Sequence, residues 1–184
     1  MRRALQIIII LTLTAGSASA QFLVEPRKPY SYVDSRPGYV MINEVTGGFS
    51  PGDVKFPYSK SYIGFATIHG YQSDKNFMAG LGIGFNSYEY ANIVPVFVYV
   101  RYNFSIHPLT PYIFSEAGLH INSNIGANLF INPGIGLMYS LNNKLGIHMG
   151  AGYSFLASQT SDSFFSARAG LTYKPVKKIK RRRR

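Results

Sequence analysis

Between Ile93 and Phe104 the chain reads IVPVFVYVRYNF, and no other stretch limits the possible folds as tightly. Taken with the two-residue period of a strand, Val94, Val96, Val98, Val100, Tyr102 and Phe104 share one face. Pro95, Phe97, Tyr99, Arg101 and Asn103 share the other. The first face is apolar without a break and turns aromatic at one end. The second carries a charge and an amide among bulky rings. A strand of a soluble sheet buries its apolar face and wets its polar one. A membrane-barrel strand turns the apolar face to lipid and the polar face to the lumen, with aromatic residues where it leaves the bilayer. The stretch is also long enough for a tilted spanning strand, which needs about 9–11 residues.

The same alternation, broken by turn residues, recurs from Tyr39 onward and predicts eight strands. They are Tyr39–Gly48, Ser61–Tyr71, Asn76–Asn86, Ile93–Phe104, Pro111–Ile121, Ala127–Ser140, Lys144–Phe155 and Phe164–Tyr173. In the third, Phe77, Ala79, Leu81, Ile83 and Phe85 oppose Met78 and three glycines. In the seventh, Leu145, Ile147, Met149, Ala151, Tyr153 and Phe155 oppose Gly146, His148, Gly150, Gly152 and Ser154. The first two strands alternate less cleanly. The connections supply a separate signal. Those at Gln72–Lys75, Ile106–Thr110 and Leu141–Asn143 are short, whereas Phe49–Lys60, Ser87–Asn92, Asn122–Gly126 and Leu156–Ser163 are mostly longer and more polar. Short periplasmic turns and longer outer loops are the habit of outer-membrane barrels. An even strand count then puts both termini in the periplasm.

Lipid offers no hydrogen bonds, so an open sheet edge is prohibitive there and closure is required. A water-facing sandwich would need charged outer faces, yet the third, fourth, sixth and seventh strands hold one interior charge, Arg101, and a bordering Lys144. The expected fold is therefore all-β, an eight-stranded antiparallel up-and-down transmembrane β-barrel. A barrel this narrow is filled by side chains. Its expected lumenal polar set is Glu44, Arg101, Glu116 and Arg168 with His69, His120 and His148. Arg101 and Glu116, on adjacent strands, are the expected ion pair, because an unpartnered buried charge costs several kcal/mol. Tyr102, Phe104, Tyr139, Tyr153, Phe155 and Tyr173 are the expected aromatic girdle.

The ends read differently from the body. Residues 1–20 have the form of a secretory signal peptide: Arg2 and Arg3, an apolar run over Leu5–Ala15, and an Ala18-Ser19-Ala20 cleavage site. The apolar run is too short to span about 30 Å as a helix. Residues 21–38, with Pro26, Pro29 and Pro37, form a periplasmic linker ahead of a barrel over 39–173. Residues 174–184 are a basic tail. Most of the net charge of +11 lies in leader and tail, and the body is near neutral, so a nucleic-acid partner is not expected. For the tail, the readings are contact with anionic lipid or an acidic periplasmic partner, or a solvated extension. The chain has no cysteine, which excludes disulfides and thiolate metal sites.

With the strands laid out, the sequence resembles the small outer-membrane β-barrel proteins of Gram-negative bacteria, particularly the type common in Bacteroidota. The residues that carry the resemblance are 93–104, TPYIFSEAGLHI at 110–121, LFINPGIGLMYSLNNKLGIHMGAGYSF at 129–155 and FSARAGLTY at 165–173. The resemblance implies insertion in outer-membrane lipid and recognition of a last-strand aromatic, here Tyr173, by the outer-membrane assembly machinery. It implies no particular activity. Gly-rich runs such as 80–84 lead into no helix and are not phosphate loops. No catalytic motif, metal site or cofactor is expected. The functional expectation is a structural or interaction protein with a largely plugged lumen. The alternatives are a narrow channel for small solutes or a lipid-modifying enzyme, which would set a His beside a Ser at the membrane boundary.

Overall fold

In the computed structural model, residues 36–52, 54, 58–104, 108–122, 126–157 and 162–175 are described. The leader, residues 21–35 of the linker and residues 176–184 of the tail lie outside the described residues. Eight strands follow in chain order: β1 Gly38–Phe49, β2 Ser61–Gln72, β3 Phe77–Tyr88, β4 Asn92–Asn103, β5 Leu109–Asn122, β6 Gly126–Ser140, β7 Leu145–Ala157 and β8 Asp162–Tyr173. Each pairs antiparallel with its neighbour in sequence, and β1 pairs with β8 to close the barrel. The expected strands and the observed ones agree to within two residues at each end.

Strand lengths of 12 to 15 residues correspond to roughly 40–50 Å of extended chain at about 3.3 Å per residue. At a tilt near 45° that covers about 30 Å, the hydrocarbon thickness. Burial alternates along every strand. In β4, Phe97, Tyr99 and Arg101 are buried, whereas Val96, Val98 and Tyr102 are exposed. The outer wall is apolar almost throughout, with Leu81, Ile83, Ile135, Leu137, Met149 and Leu171 all exposed.

Rings fit inside a narrow barrel because the residue paired with a ring on the adjacent strand is often glycine. A Cβ on Gly82 would lie 2.3 Å from the Phe97 ring, and one on Gly136 would lie 2.3 Å from the Tyr112 ring. Real Cβ atoms do not come that close, so these two walls must stay bare.

Two of the short turns use one device. In the β2–β3 turn, Asp74 Oδ1 accepts the backbone N–H groups of Asn76 and Phe77, both at 2.7 Å. In the β6–β7 turn, Asn142 Oδ1 accepts those of Lys144 at 2.8 Å and Leu145 at 2.9 Å. A short Asx side chain replaces a backbone acceptor and reverses the chain without a long loop.

Candidate functional site

The barrel interior is the only place where the described residues gather buried charge, and it is organised in levels. At mid-height β1 presents Glu44, β5 Glu116 and β8 Arg168, all nearly inaccessible. Arg168 Nη1 donates to Glu44 Oε1 at 2.8 Å and to Glu116 Oε1 at 2.6 Å, and Nη2 donates to Glu116 Oε2 at 2.9 Å. One guanidinium thus bridges two carboxylates from different walls. Its five N–H groups and fixed planar fork suit it to this, where a lysine could not hold both. The remaining carboxylate capacity is taken up nearby. Asn132 Nδ2 donates to Glu116 Oε2 at 2.8 Å, and His148 Nε2 lies 3.2 Å from Glu44 Oε2. Thr172 Oγ1 lies 3.3 Å from the other His148 nitrogen. The Phe114 ring lies beneath the guanidinium, 4.0 Å from its carbon.

Toward the short-turn end a second guanidinium is held differently. Arg101 Nε donates to Asn103 Oδ1 at 2.9 Å, Nη2 approaches Met138 Sδ at 3.2 Å, and its carbon sits 3.7 Å from the centre of the Tyr112 ring. The pair expected between Arg101 and Glu116 is not formed. The β4–β5 register sets Arg101 opposite Phe114 and Tyr99 opposite Glu116, and Glu116 turns to Arg168 instead. Below Arg101, Lys174 is buried, and its ammonium donates to Gln72 Oε1 at 2.9 Å and to the carbonyl of Arg36. The first residue of the basic tail is therefore part of the barrel's packed end.

Toward the longer loops the interior becomes aromatic. Tyr62, Tyr88 and Phe164 pack against one another at ring separations of 5.1 to 5.9 Å. Tyr58, from the connection between β1 and β2, inserts among them, 5.3 Å from Tyr88, and its hydroxyl accepts a 3.3 Å hydrogen bond from Asn128. Below it the His120 ring packs at a tilt against Phe130, with ring centres 4.2 Å apart. Burial raises the Tyr58 hydroxyl above its ordinary value, against the partial opposing effect of the Asn128 hydrogen bond. Between the aromatic level and the charged one lies a cavity of about 30 Å³, lined by residues that include Glu116, His120, Asn132 and Arg168. That is space for roughly two waters. Two buried atoms without a partner, His120 Nδ1 and Arg168 Nε, belong to its lining.

Of the seven lumenal candidates, Glu44, Arg101, Glu116, His120, His148 and Arg168 are buried in the interior. His69 is not among them. It stands on the outer wall of β2, with the Tyr39 hydroxyl 2.5 Å from Nδ1 and the Thr67 hydroxyl 3.3 Å from Nε2. The reason is the make-up of β2, whose inward positions are Gly64, Ala66, Ile68 and Gly70. The polar-inward pattern inverts there, and sequence alone selects the wrong face. Among the girdle candidates, Tyr102, Phe104, Tyr139 and Tyr173 are exposed at the short-turn end, joined by Tyr39, Tyr71 and Phe77. Phe155 is exposed and Tyr153 half-buried at the other end, where Tyr153 packs against both Phe155 and Phe165. Tyr58 had no sequence signal, because it lies in a connection without periodicity. Asn132 is visible on the inward face of β6, but nothing in its surroundings marks it as a ligand of Glu116.

Neither a protein-family model nor a curated protein sequence matches the chain. Solved structures do match. Neisserial surface protein A is 14% identical with a TM-score of 0.56, over 74% of this chain and 96% of that one. Outer membrane protein OprG from Pseudomonas aeruginosa is 9% identical with a TM-score of 0.51, over 79% of this chain and 99% of that one. A de novo designed transmembrane β-barrel is 19% identical with a TM-score of 0.50, over 78% of this chain and 100% of that one. At these identities the likeness is one of fold: an eight-stranded transmembrane β-barrel.

Proposed function

We propose that this chain is an integral outer-membrane protein of the small-barrel kind found in Gram-negative bacteria, the Bacteroidota type included. It works by structure and contact and not by passage or catalysis. The observation that carries the reading is the Arg168 bridge between Glu44 and Glu116 at mid-lumen, with rings packed above it and Arg101 and Lys174 below. A solute moving through would have to separate a buried ion triad, which costs several kcal/mol for each charge left alone. The outer-membrane location draws support from the apolar wall, from the secretory form of residues 1–20 and from the outer-membrane protein OprG, which shares the fold. In that location the short-turn end and both termini are periplasmic, and Tyr173 is the aromatic that the assembly machinery would read. The outer loops and the basic tail are the contact surfaces, the tail for anionic lipid or an acidic periplasmic partner.

A narrow channel for small solutes is the second reading, favoured by the interior cavity and the bare glycine walls. A lipid-modifying enzyme has less support. His120 and His148 point into the lumen, and His69 on the outer wall is bonded to Tyr39 and Thr67 with no serine beside it. Single-channel recording in a planar bilayer separates the first two. The mature chain gives no stable open current if the lumen is plugged. A stable ohmic conductance overturns that reading and establishes the channel.

A further inference from the structure

Between its two aromatic girdles the outer wall should be apolar, since hydrocarbon neither donates nor accepts hydrogen bonds. Four described polar side chains break that rule: Asn43, Thr67, His69 and Ser115. Three of the four belong to the paired strands β1 and β2. In their register Asn43 faces Thr67, and His69 follows two residues on. They form one polar stripe running from Tyr39 in the periplasmic girdle to the middle of β1.

Along most of the stripe the polar groups satisfy one another. The Tyr39 hydroxyl and the Thr67 hydroxyl take the two ring nitrogens of His69. Asn43 at the inner end is the exception. Ile42 and Glu44 on either side of it are buried in the lumen, so Asn43 projects outward, about midway between Tyr39 and Phe49. Its amide makes no hydrogen bond within the described residues. An amide left unpaired at mid-bilayer is unfavourable, and backbone pairing in the closed barrel is already complete around it.

The geometry points to a second copy of this chain as the group that satisfies Asn43, through a two-fold contact between the β1–β2 faces of two barrels within the membrane. An amide carries both a donor and an acceptor. Two asparagines related by a dyad can therefore pair with each other, which is what an isologous interface requires. Beside Asn43 the wall carries Thr67 on β2 and Leu171 on β8, and four residues along the same face of β1 it becomes low at Gly47 and its β8 partner Ala167. Interhelical-type hydrogen bonds between polar groups, together with small residues elsewhere in the contact, are how membrane-embedded surfaces associate when no hydrophobic drive exists between them. This inference rests on the membrane-barrel reading proposed above, and detergent-dependent folding with a heat-shifted band reports on that reading separately.

The chain has no cysteine, so single-cysteine variants can be read without background. The variants are Val45→Cys, next to Asn43 on the outer face of β1, and, on the far wall at an exposed position of β6, Ile135→Cys, both of which keep the Asn43 amide. Each is refolded into phospholipid vesicles and oxidised across a series of lipid dilutions. The proposal predicts a disulfide-linked dimer from Val45→Cys that persists on dilution, and none from Ile135→Cys. Sedimentation equilibrium of the unmodified chain in density-matched detergent should show a monomer–dimer equilibrium. Asn43→Leu should weaken it about three- to twentyfold, the range that buried polar contacts in membranes span, while keeping the heat-shifted band. A chain monomeric at every concentration overturns the proposal, as does equal cross-linking from both walls or an unchanged equilibrium in Asn43→Leu. A monomer that instead binds phospholipid head groups or another protein through this stripe also overturns it.

Discussion

Arg168→Met is the most informative single change in the interior. Methionine nearly matches the arginine stem in length, so packing against Phe114 is largely kept while the charge is removed. What remains is Glu44 and Glu116, whose side chains are 1% and 6% exposed, with no guanidinium between them. Removing one partner of a buried ionic network typically costs about 3–5 kcal/mol, because the other charges cannot return to water. Three of the interior's short charge-assisted bonds, at 2.6 to 2.9 Å, disappear together, so a value toward the upper end of that range is expected. Arg101→Met should cost much less, about 1–2 kcal/mol, since Arg101 holds an amide, a thioether and a ring and no carboxylate. Replacing the whole triad, with Glu44→Gln, Glu116→Gln and Arg168→Met, should recover most of the loss, to within about 2 kcal/mol of the native barrel, because no carboxylate is left buried without its guanidinium. The chain has no tryptophan, so stability is read by circular dichroism and by the folded band on gels during urea titration in lipid vesicles. If Arg168→Met and Arg101→Met lose the same amount, or the triple variant is as weak as Arg168→Met, the bridge is not what holds the carboxylates and the argument fails.

Three further outcomes follow from other parts of the barrel. Tyr58→Ala removes a buried ring from the loop-side mouth and should cost about 1.5–3 kcal/mol without producing a conductance, because the Arg168 level below still spans the lumen. The raised Tyr58 pKa lies above its unfolded value of 10, so the stability it adds is complete below pH 10 and is lost as pH climbs through the folded value. Tyr58→Phe should therefore lose less stability than the native chain between neutral pH and pH 11 in urea titrations. The Asp74 carboxylate is held below its usual 3.8 by the backbone N–H groups of Phe77 and Asn76. The turn's support is thus present above pH 3.8 and fades as pH falls through the lower folded value. At neutral pH, Asp74→Ala should accelerate amide exchange at Asn76 and Phe77, and Asp74→Asn, which keeps the acceptor oxygen, should not. Gly82→Ala places a methyl within 2.3 Å of the Phe97 ring and should cost about 1–3 kcal/mol by overpacking. Adding Phe97→Leu should return part of it.

The fold was legible where one strand face is uniformly apolar and the other is not. In β4, Val96, Val98 and Val100 oppose Phe97, Tyr99 and Arg101, and lipid on one side with a packed lumen on the other accounts for both rows. It was least legible in β1 and β2. There Asn43, Thr67 and His69 face outward while Ala66, Ile68 and Gly70 face inward, so polarity and direction no longer correspond. The interior charges were identifiable as a set because the apolar strands carry so few of them. Their partners were not, because partnership depends on register and closure. Arg101 and Glu116 lie on neighbouring strands but two steps out of step. Glu44 and Arg168 are far apart in sequence and meet only because β1 pairs with β8, which brings Glu44 opposite Gly170 and Arg168 opposite Thr46. A loop residue such as Tyr58 belongs to no period, and nothing in its neighbours foretells that it turns into the mouth.

Heat modifiability tests the membrane barrel most directly. The mature chain is refolded from urea into detergent micelles and run on a gel with and without boiling, with a parallel refolding in detergent-free buffer followed by circular dichroism. A closed barrel with an apolar outer wall predicts a β spectrum and a faster unboiled band in detergent, and aggregation without it. A soluble, monomeric β protein that folds equally well in plain buffer would contradict the account, because the row of exposed Leu81, Ile135 and Met149 could not then be facing water as it stands.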